Sequence, residues 1–185
     1  FDPNAITLVS RSAGFSPHPG SQALASVPTI TDLDAVDLLV LAAPAESVPD
    51  LIREANATGR ARACIVISGG TDSDDIEAAI AEGSDRMVVL GPNCMGVRSL
   101  PGKIDTFFIP EDKLAPPEEA TPCAIISQSG AFVVSRLSSM GGISPRIAIS
   151  LGNQSDATVS DLLWALAERD DLRAAGVYLE GFTDL

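Results

Sequence analysis

The chain has 185 residues, 45% of them hydrophobic and 20% charged, the composition of a globular protein with a buried core rather than of a disordered one. Twelve basic residues against twenty-five acidic give a net charge of −13, the wrong sign for nucleic acid or an anionic membrane, and in accord with a highly soluble surface. No uncharged apolar run approaches the roughly 18 residues of a membrane helix.

Nothing at the N-terminus resembles a signal peptide, and a start at Phe1-Asp2-Pro3 without methionine reads as an excised piece. The three cysteines, Cys64, Cys94 and Cys123, are odd in number and lack CxxC spacing. That favours a reducing, cytoplasmic setting over a disulfide framework or a zinc site, and no metal site is expected. The apolar neighbours of Cys64 and Cys123 place both in the core.

Short runs of Val, Ile and Leu alternate with helical patterns along the chain. Residues 36–43 (VDLLVLAA) form a buried strand, followed by a helix over 46–58 with Val48, Leu51, Ile52 and Ala55 on one face and Gly59 as its stop. A strand over 63–67 leads to a helix over 73–82 with Ile76, Ala79 and Ile80 inward, and a third strand covers 87–90. From Pro101 to Pro122 prolines and charges are dense and no period holds, which marks a crossing segment. The alternation resumes with a strand over 123–127, a helix over 129–140 and a strand over 146–150. A helix over 157–169 carries Val159, Leu162, Leu163 and Leu166 inward, and a last strand covers 176–179.

Continuous apolar strands alternating with helices mean α/β architecture with parallel sheets covered on both faces. Two such blocks make two doubly wound parallel-sheet units, a first domain over 1–119 including the proline-rich crossing and a second over 120–185.

In open α/β sheets ligands sit beyond the carboxyl ends of the strands. The residues there are Ala43-Pro44-Ala45, Ser68-Gly69-Gly70-Thr71 and Gly91-Pro92-Asn93-Cys94-Met95-Gly96 in the first block. The second block places Gln128-Ser129-Gly130, Gly152-Asn153-Gln154 and Glu180-Gly181 at the same edge. Strand-to-helix turns are rich in Gly and Ser for capping alone, but six small or polar turns on two such edges point to ligands. Ser129-Gly130 heads a helix, so its free N–H groups suit a phosphate. GPNCMG fits a rigid loop that presents Asn93 and backbone groups. The only histidine, His18, lies in the loop Ser16-Pro17-His18-Pro19-Gly20, far in sequence from Cys94, so a catalytic Cys–His pair is not expected. Neither GxGxxG nor a Walker P-loop is present.

Taken together, VDLLVLAAPAESVPDLIREANATG, VISGG, VLGPNCMGV, IDTFFIPEDK, IISQSGAF, ISLGNQSD and VYLEG stand in the order seen in NDP-forming acyl-CoA synthetases. The chain resembles this family, the ADP-forming acetate–CoA ligase relatives of the succinyl-CoA synthetase alpha subunit, from about Ile30 to Gly181. The resemblance implies a Rossmann-like CoA-binding domain followed by a flavodoxin-like ligase domain. It implies interconversion of acyl-CoA, phosphate and ADP with the free acid, CoA and ATP through a phosphohistidine.

By the same resemblance Pro44, Ser68, Gly69, Pro92, Asn93 and Cys94 face CoA. Gln128, Ser129 and Gly130 hold the phosphate of the phosphohistidine, and Glu180 contacts the active histidine as a catalytic residue. ATP or ADP with magnesium is bound by an ATP-grasp beta subunit or fused domain, and the complete protein is an oligomer whose exposed sheet edges are covered. The family's first strand and glycine-rich turn lie before Phe1 and its histidine beyond Leu185, so this chain alone is expected to be inactive. Two other readings stay open: a CoA-sensing regulatory module, as in acetyltransferases with a degenerate synthetase region, and a dinucleotide-binding oxidoreductase domain. The last would need an acidic residue after its second strand, where this chain reads LVSRSAG.

Overall fold

In the computed structural model, residues 5–10, 24–70, 73–83, 87–114, 120–139 and 144–181 are described. His18 and Thr71 lie outside them. Among the described residues the chain forms a small parallel pair, a three-stranded parallel sheet and a five-stranded mixed sheet, with helices on the sheets.

The small pair joins β1 (Thr7–Val9) to β2 (Ala25–Val27). The first larger sheet has the order β3 (Val36–Leu41), β4 (Ala61–Val66), β5 (Val88–Leu90), all parallel. Its strands alternate with α1 (Val48–Thr58) and α2 (Ser73–Ala81). Helix α1 starts with Pro49 in its first turn, where the missing N–H costs nothing, and stops at Gly59, whose φ of 60° ends the helix while its N–H bonds the carbonyl of Ala55. Val48, Ile52, Ala55, Ile76, Ala79 and Ile80 are buried against Leu39, Leu41, Cys64, Val66 and Val89. Each large aliphatic in that cluster is worth about 2–5 kcal/mol against truncation to Ala.

The second sheet has the order β10 (Ala174–Tyr178), β8 (Ala120–Ser127), β9 (Ser144–Ser150), β6 (Gly96–Ser99), β7 (Ile104–Asp105). Strands β8, β9 and β10 are parallel, and β6 and β7 run antiparallel to their neighbours. Helix α3 (Gly130–Ser139) covers one face with Val133 and Leu137, and α4 (Val159–Ala167) supplies the other with Val159, Leu162 and Leu166. A reciprocal capping box between Thr158 and Asp161 starts α4, and those hydrogen bonds hold the Asp161 carboxyl below its usual range.

Several expectations need correction. The crossing segment read from Pro101 to Pro122 is not featureless: Ile104–Asp105 within it (β7) pairs with β6 just ahead of it, and β6 pairs with β9, so this hairpin belongs to the second sheet. Strand β8 starts at Ala120 and takes in Pro122, which is tolerated because the ladder shifts register between Thr121 and Ala124. Leu163 is 38% exposed, since it lies beside the stripe of Val159, Leu162 and Leu166. Cys64 is buried, but Cys123 is only half-buried, its thiol 3.2 Å from the Thr121 hydroxyl.

The two larger sheets share an apolar cluster: Ile65, Leu90 and Cys94 of the first pack with Ala124, Ile126, Ile147, Ile149 and Leu151 of the second. No helix among the described residues is long and apolar enough to cross a membrane.

Candidate functional site

Two edges carry the candidate residues, and one loop joins them. At the first edge the turns after β3, β4 and β5 are tied together. The Ser68 hydroxyl donates to the Ala43 carbonyl at 2.6 Å and accepts from the Ala43 N–H at 3.0 Å. The Asn93 N–H donates to the Ser68 carbonyl at 2.9 Å. Gly69 lies so near Asn93 that a Cβ there would come within 2.6 Å of its Oδ1. Ser68, Gly69 and Asn93, with Pro44 beside Ala43, thus line one continuous rim. Asn93 is exposed, at a φ of 58°.

Pro92 and Cys94 are turned inward. Pro92, which follows a cis peptide bond, is fully buried. Cys94 is 3% exposed and its thiol donates to the Val66 carbonyl at 3.2 Å. Burial pushes the Cys94 thiol up to about 11 against its backbone hydrogen bonds, and burial followed by the neighbouring Cys94 pushes Cys64 up to about 12. Neither is a thiolate near neutral pH, so neither is a nucleophile there.

At the second edge, the buried Ser127 hydroxyl donates to the Ser129 carbonyl at 2.7 Å and pins the turn. The Ser129 hydroxyl accepts from the Phe132 N–H at 3.3 Å as the cap of α3. The N–H groups of Gly130 and Ala131, the first two helical positions, have no carbonyl within the helix to bond. They leave a positive helix end suited to an anion. Gln128 reaches the other way: its Oε1 accepts from the N–H groups of Glu180 at 2.8 Å and Gly181 at 3.1 Å. Phe132 stacks on Tyr178 with ring centroids 4.4 Å apart, and the Arg136 guanidinium lies 4.9 Å from the Phe132 centroid. Gln128, Ser129, Gly130 and Glu180 are therefore one neighbourhood.

The joint between the edges is the 91–96 loop. The Met95 N–H donates to the buried Ser150 hydroxyl at 3.0 Å, and a Cβ on Gly130 would lie 3.1 Å from Met95 Cγ. The Asn153 N–H donates to the Pro92 carbonyl at 2.9 Å and the Ser155 N–H to the Gly91 carbonyl at 3.1 Å. Residues 156–157 lie against β5: the Ala157 N–H donates to the Val89 carbonyl at 3.0 Å, and the Val89 N–H donates to Asp156 Oδ2 at 2.7 Å. Gly152 makes this approach possible, because its φ is 62° and a Cβ would overlap the Pro92 carbonyl. Gln154, 3% exposed, accepts from the Val159 N–H, and its Nε2 has no partner among the described residues.

Sequence reasoning missed Met95, Ser150 and Asp156. Met95 stood inside a loop already singled out, and Asp156 followed a flagged turn. Their roles depend on pairings that no local pattern displays.

With this geometry in view, comparison with known proteins identifies the two blocks. Residues 15–99 match a family described as "CoA binding domain", and residues 120–185 one described as "Succinyl-CoA ligase like flavodoxin domain". The chain is 32% identical over 159 residues to the acetate–CoA ligase [ADP-forming] I subunit alpha of Pyrococcus furiosus, an alignment covering 82% of this chain and 33% of that one. It is 31% identical over 157 residues to acetate–CoA ligase [ADP-forming] I of Archaeoglobus fulgidus, covering 80% and 22%. Among solved structures it superposes on dinucleotide forming acetyl-coenzyme A synthetase 1 of Ca. Korarchaeum cryptofilum, apo form, with a TM-score of 0.80 at 25% identity, over 96% of this chain and 38% of that one. The same synthetase in complex with phosphate and ADP gives a TM-score of 0.78 at 26% identity, again over 96% and 38%. The chain thus spans a third or less of the length of these two curated relatives.

Proposed function

Because the chain belongs to the NDP-forming acyl-CoA synthetases, carrying their CoA-binding and succinyl-CoA-ligase-like domains in that order, we propose that it is the CoA-binding and phosphate-holding part of an acid–CoA ligase. The reaction interconverts acyl-CoA, ADP and phosphate with the free acid, CoA and ATP. One observation carries the reading: the 91–96 loop touches both edges at once, with Asn93 on the rim of the first sheet and Met95 against Gly130 at the start of α3. A ligase that passes a phosphoryl group toward an acyl-CoA needs its CoA rim and its phosphate site adjoining.

In this reading Pro44, Ser68, Gly69 and Asn93 face CoA, and Pro92 and Cys94 shape the same loop from within. Ser129 and Gly130 hold the phosphoryl group of a phosphohistidine, which the helix dipole and free N–H groups stabilise. The Glu180 carboxylate fixes the tautomer of that histidine and steadies its cation. The histidine itself comes from outside these 185 residues, whose only histidine is His18. ATP or ADP with magnesium binds an ATP-grasp part, on a partner subunit or fused, in a cytoplasmic oligomer. We divide the chain at 119/120, the second domain recruiting β6 and β7 from the first.

The test is to incubate the protein, as its source organism makes it, with radiolabelled magnesium-ATP. Acid-labile, base-stable label that is released by acetate plus CoA is expected. No label, with CoA still bound, would replace this reading with that of a CoA-sensing module.

A further inference from the structure

We propose that Gln128 is the positioning residue for Glu180, an inference that rests on the ligase reading above. The Glu180 side chain is exposed and bonds to no group among the described residues, so its place is set by its backbone. Among the described residues, the N–H groups of Glu180 and Gly181 are both held by one side chain. Gln128 Oε1 accepts from two consecutive N–H groups, those of Glu180 at 2.8 Å and Gly181 at 3.1 Å. An amide whose oxygen faces two donors has only one workable orientation, because the flipped amide would set N–H against N–H. The Gln128 N–H also donates to the Tyr178 carbonyl at 2.9 Å, and the Phe132–Tyr178 stack closes the same junction one turn into α3. Gln128 immediately precedes the Ser129 cap of α3. One residue therefore fixes the distance between the helix end that holds the phosphoryl group and the turn that carries the carboxylate. Its side-chain oxygen is committed to that turn rather than to the phosphate.

A positioning role acts through Glu180, and a double-mutant cycle reads this directly. In the protein as its source organism makes it, Gln128→Met is expected to lower kcat for acetate-dependent ATP consumption about tenfold with KM for CoA unchanged. In a Glu180→Gln background, itself slower in phosphoryl transfer, the same change should cost less than about twofold. A full tenfold loss in both backgrounds, in a wild type that forms labelled phosphoenzyme, overturns the inference and leaves the ligase reading intact. A wild type that forms no phosphoenzyme overturns both. Should Gln128→Met fail to fold, Gln128→Glu retains an acceptor at the same reach. Slow hydrogen exchange at the Glu180 and Gly181 amides is expected in Gln128→Glu, and fast exchange there would equally refute the clamp.

Discussion

Under the proposed function the two edges would solve the same problem, holding part of a ligand beyond the ends of parallel strands, in opposite ways. At the first, the available groups satisfy one another: the Ser68 hydroxyl is used twice by Ala43, the Asn93 N–H goes to Ser68, and the Cys94 thiol points into the core. What this rim presents among the described residues is the exposed Asn93, a shape rather than a charge. At the second, the turn is pinned from beneath by Ser127 and from the side by Gln128, while two helical N–H groups stay without an internal partner. That edge concentrates positive potential on one point. In the proposed reading a long, flexible ligand is met by contour and a small dense anion by field, with the two devices on separate sheets.

Ser129→Asp breaks this contrast most sharply. Aspartate caps a helix as well as serine does, so the fold should persist while a carboxylate occupies the anion's place. Two like charges about 4 Å apart near a protein surface repel by about 4 kcal/mol. No phosphoenzyme is expected, with CoA affinity unchanged; label equal to wild type would remove α3 from the mechanism.

Gly152→Ala attacks the joint instead of either edge. The Cβ meets the Pro92 carbonyl in a backbone region where alanine is already strained, so a loss of about 3 kcal/mol or more is expected. An unaltered urea midpoint would show that the joint has slack. The thiols test the interior of the first edge. Cys64 and Cys94 both have folded values raised above the ordinary 9.0, so their contribution is whole below pH 9 and fades as pH climbs through about 11 and 12. Stability should drop by about 2 kcal/mol between pH 8 and 10, and iodoacetamide at pH 8 should modify Cys123 before either of them. Early labelling of Cys94 would mean that the loop opens.

The smallest effect is expected on the rim. Asn93→Ala should weaken CoA binding about fivefold, near 1 kcal/mol, without touching phosphorylation by ATP. Asn93→Gly, which accepts the positive φ, separates amide from backbone: a matching loss assigns the effect to the side chain, and wild-type affinity assigns it to the loop.

How much of this could be read beforehand follows the physics of range. Strands β3 and β4 and helices α1 and α2 were legible because apolar runs and an i, i+3, i+4 stripe are local signals, and Ile52, Ile76 and Ile80 lie where the stripe put them. β2, β6 and β7 were not, being three, four and two residues long with mixed polarity. Leu163 misled because a stripe read by eye has no sharp margin. The turns at both edges stood out through Gly, Ser and Pro after each strand. Their pairings did not, since Gln128 meets Glu180 across 52 positions and Asp156 meets Val89 across 67.

The hairpin of β6 and β7 bears on modularity. Strand β6 is encoded ahead of the stretch from Pro101 to Pro122 and β7 within it, yet β6 pairs with β9, beyond that stretch. A protease nick or a genetic exchange between residues 106 and 119 would strip the second sheet of two strands and lay bare a raw β9 edge, a template for mispairing. A cut at the seam that composition suggests thus parts β6 and β7 from the sheet they complete. An exchange that keeps the hairpin with its sheet falls before Gly96, between the rim that Asn93 occupies and the strand that follows it.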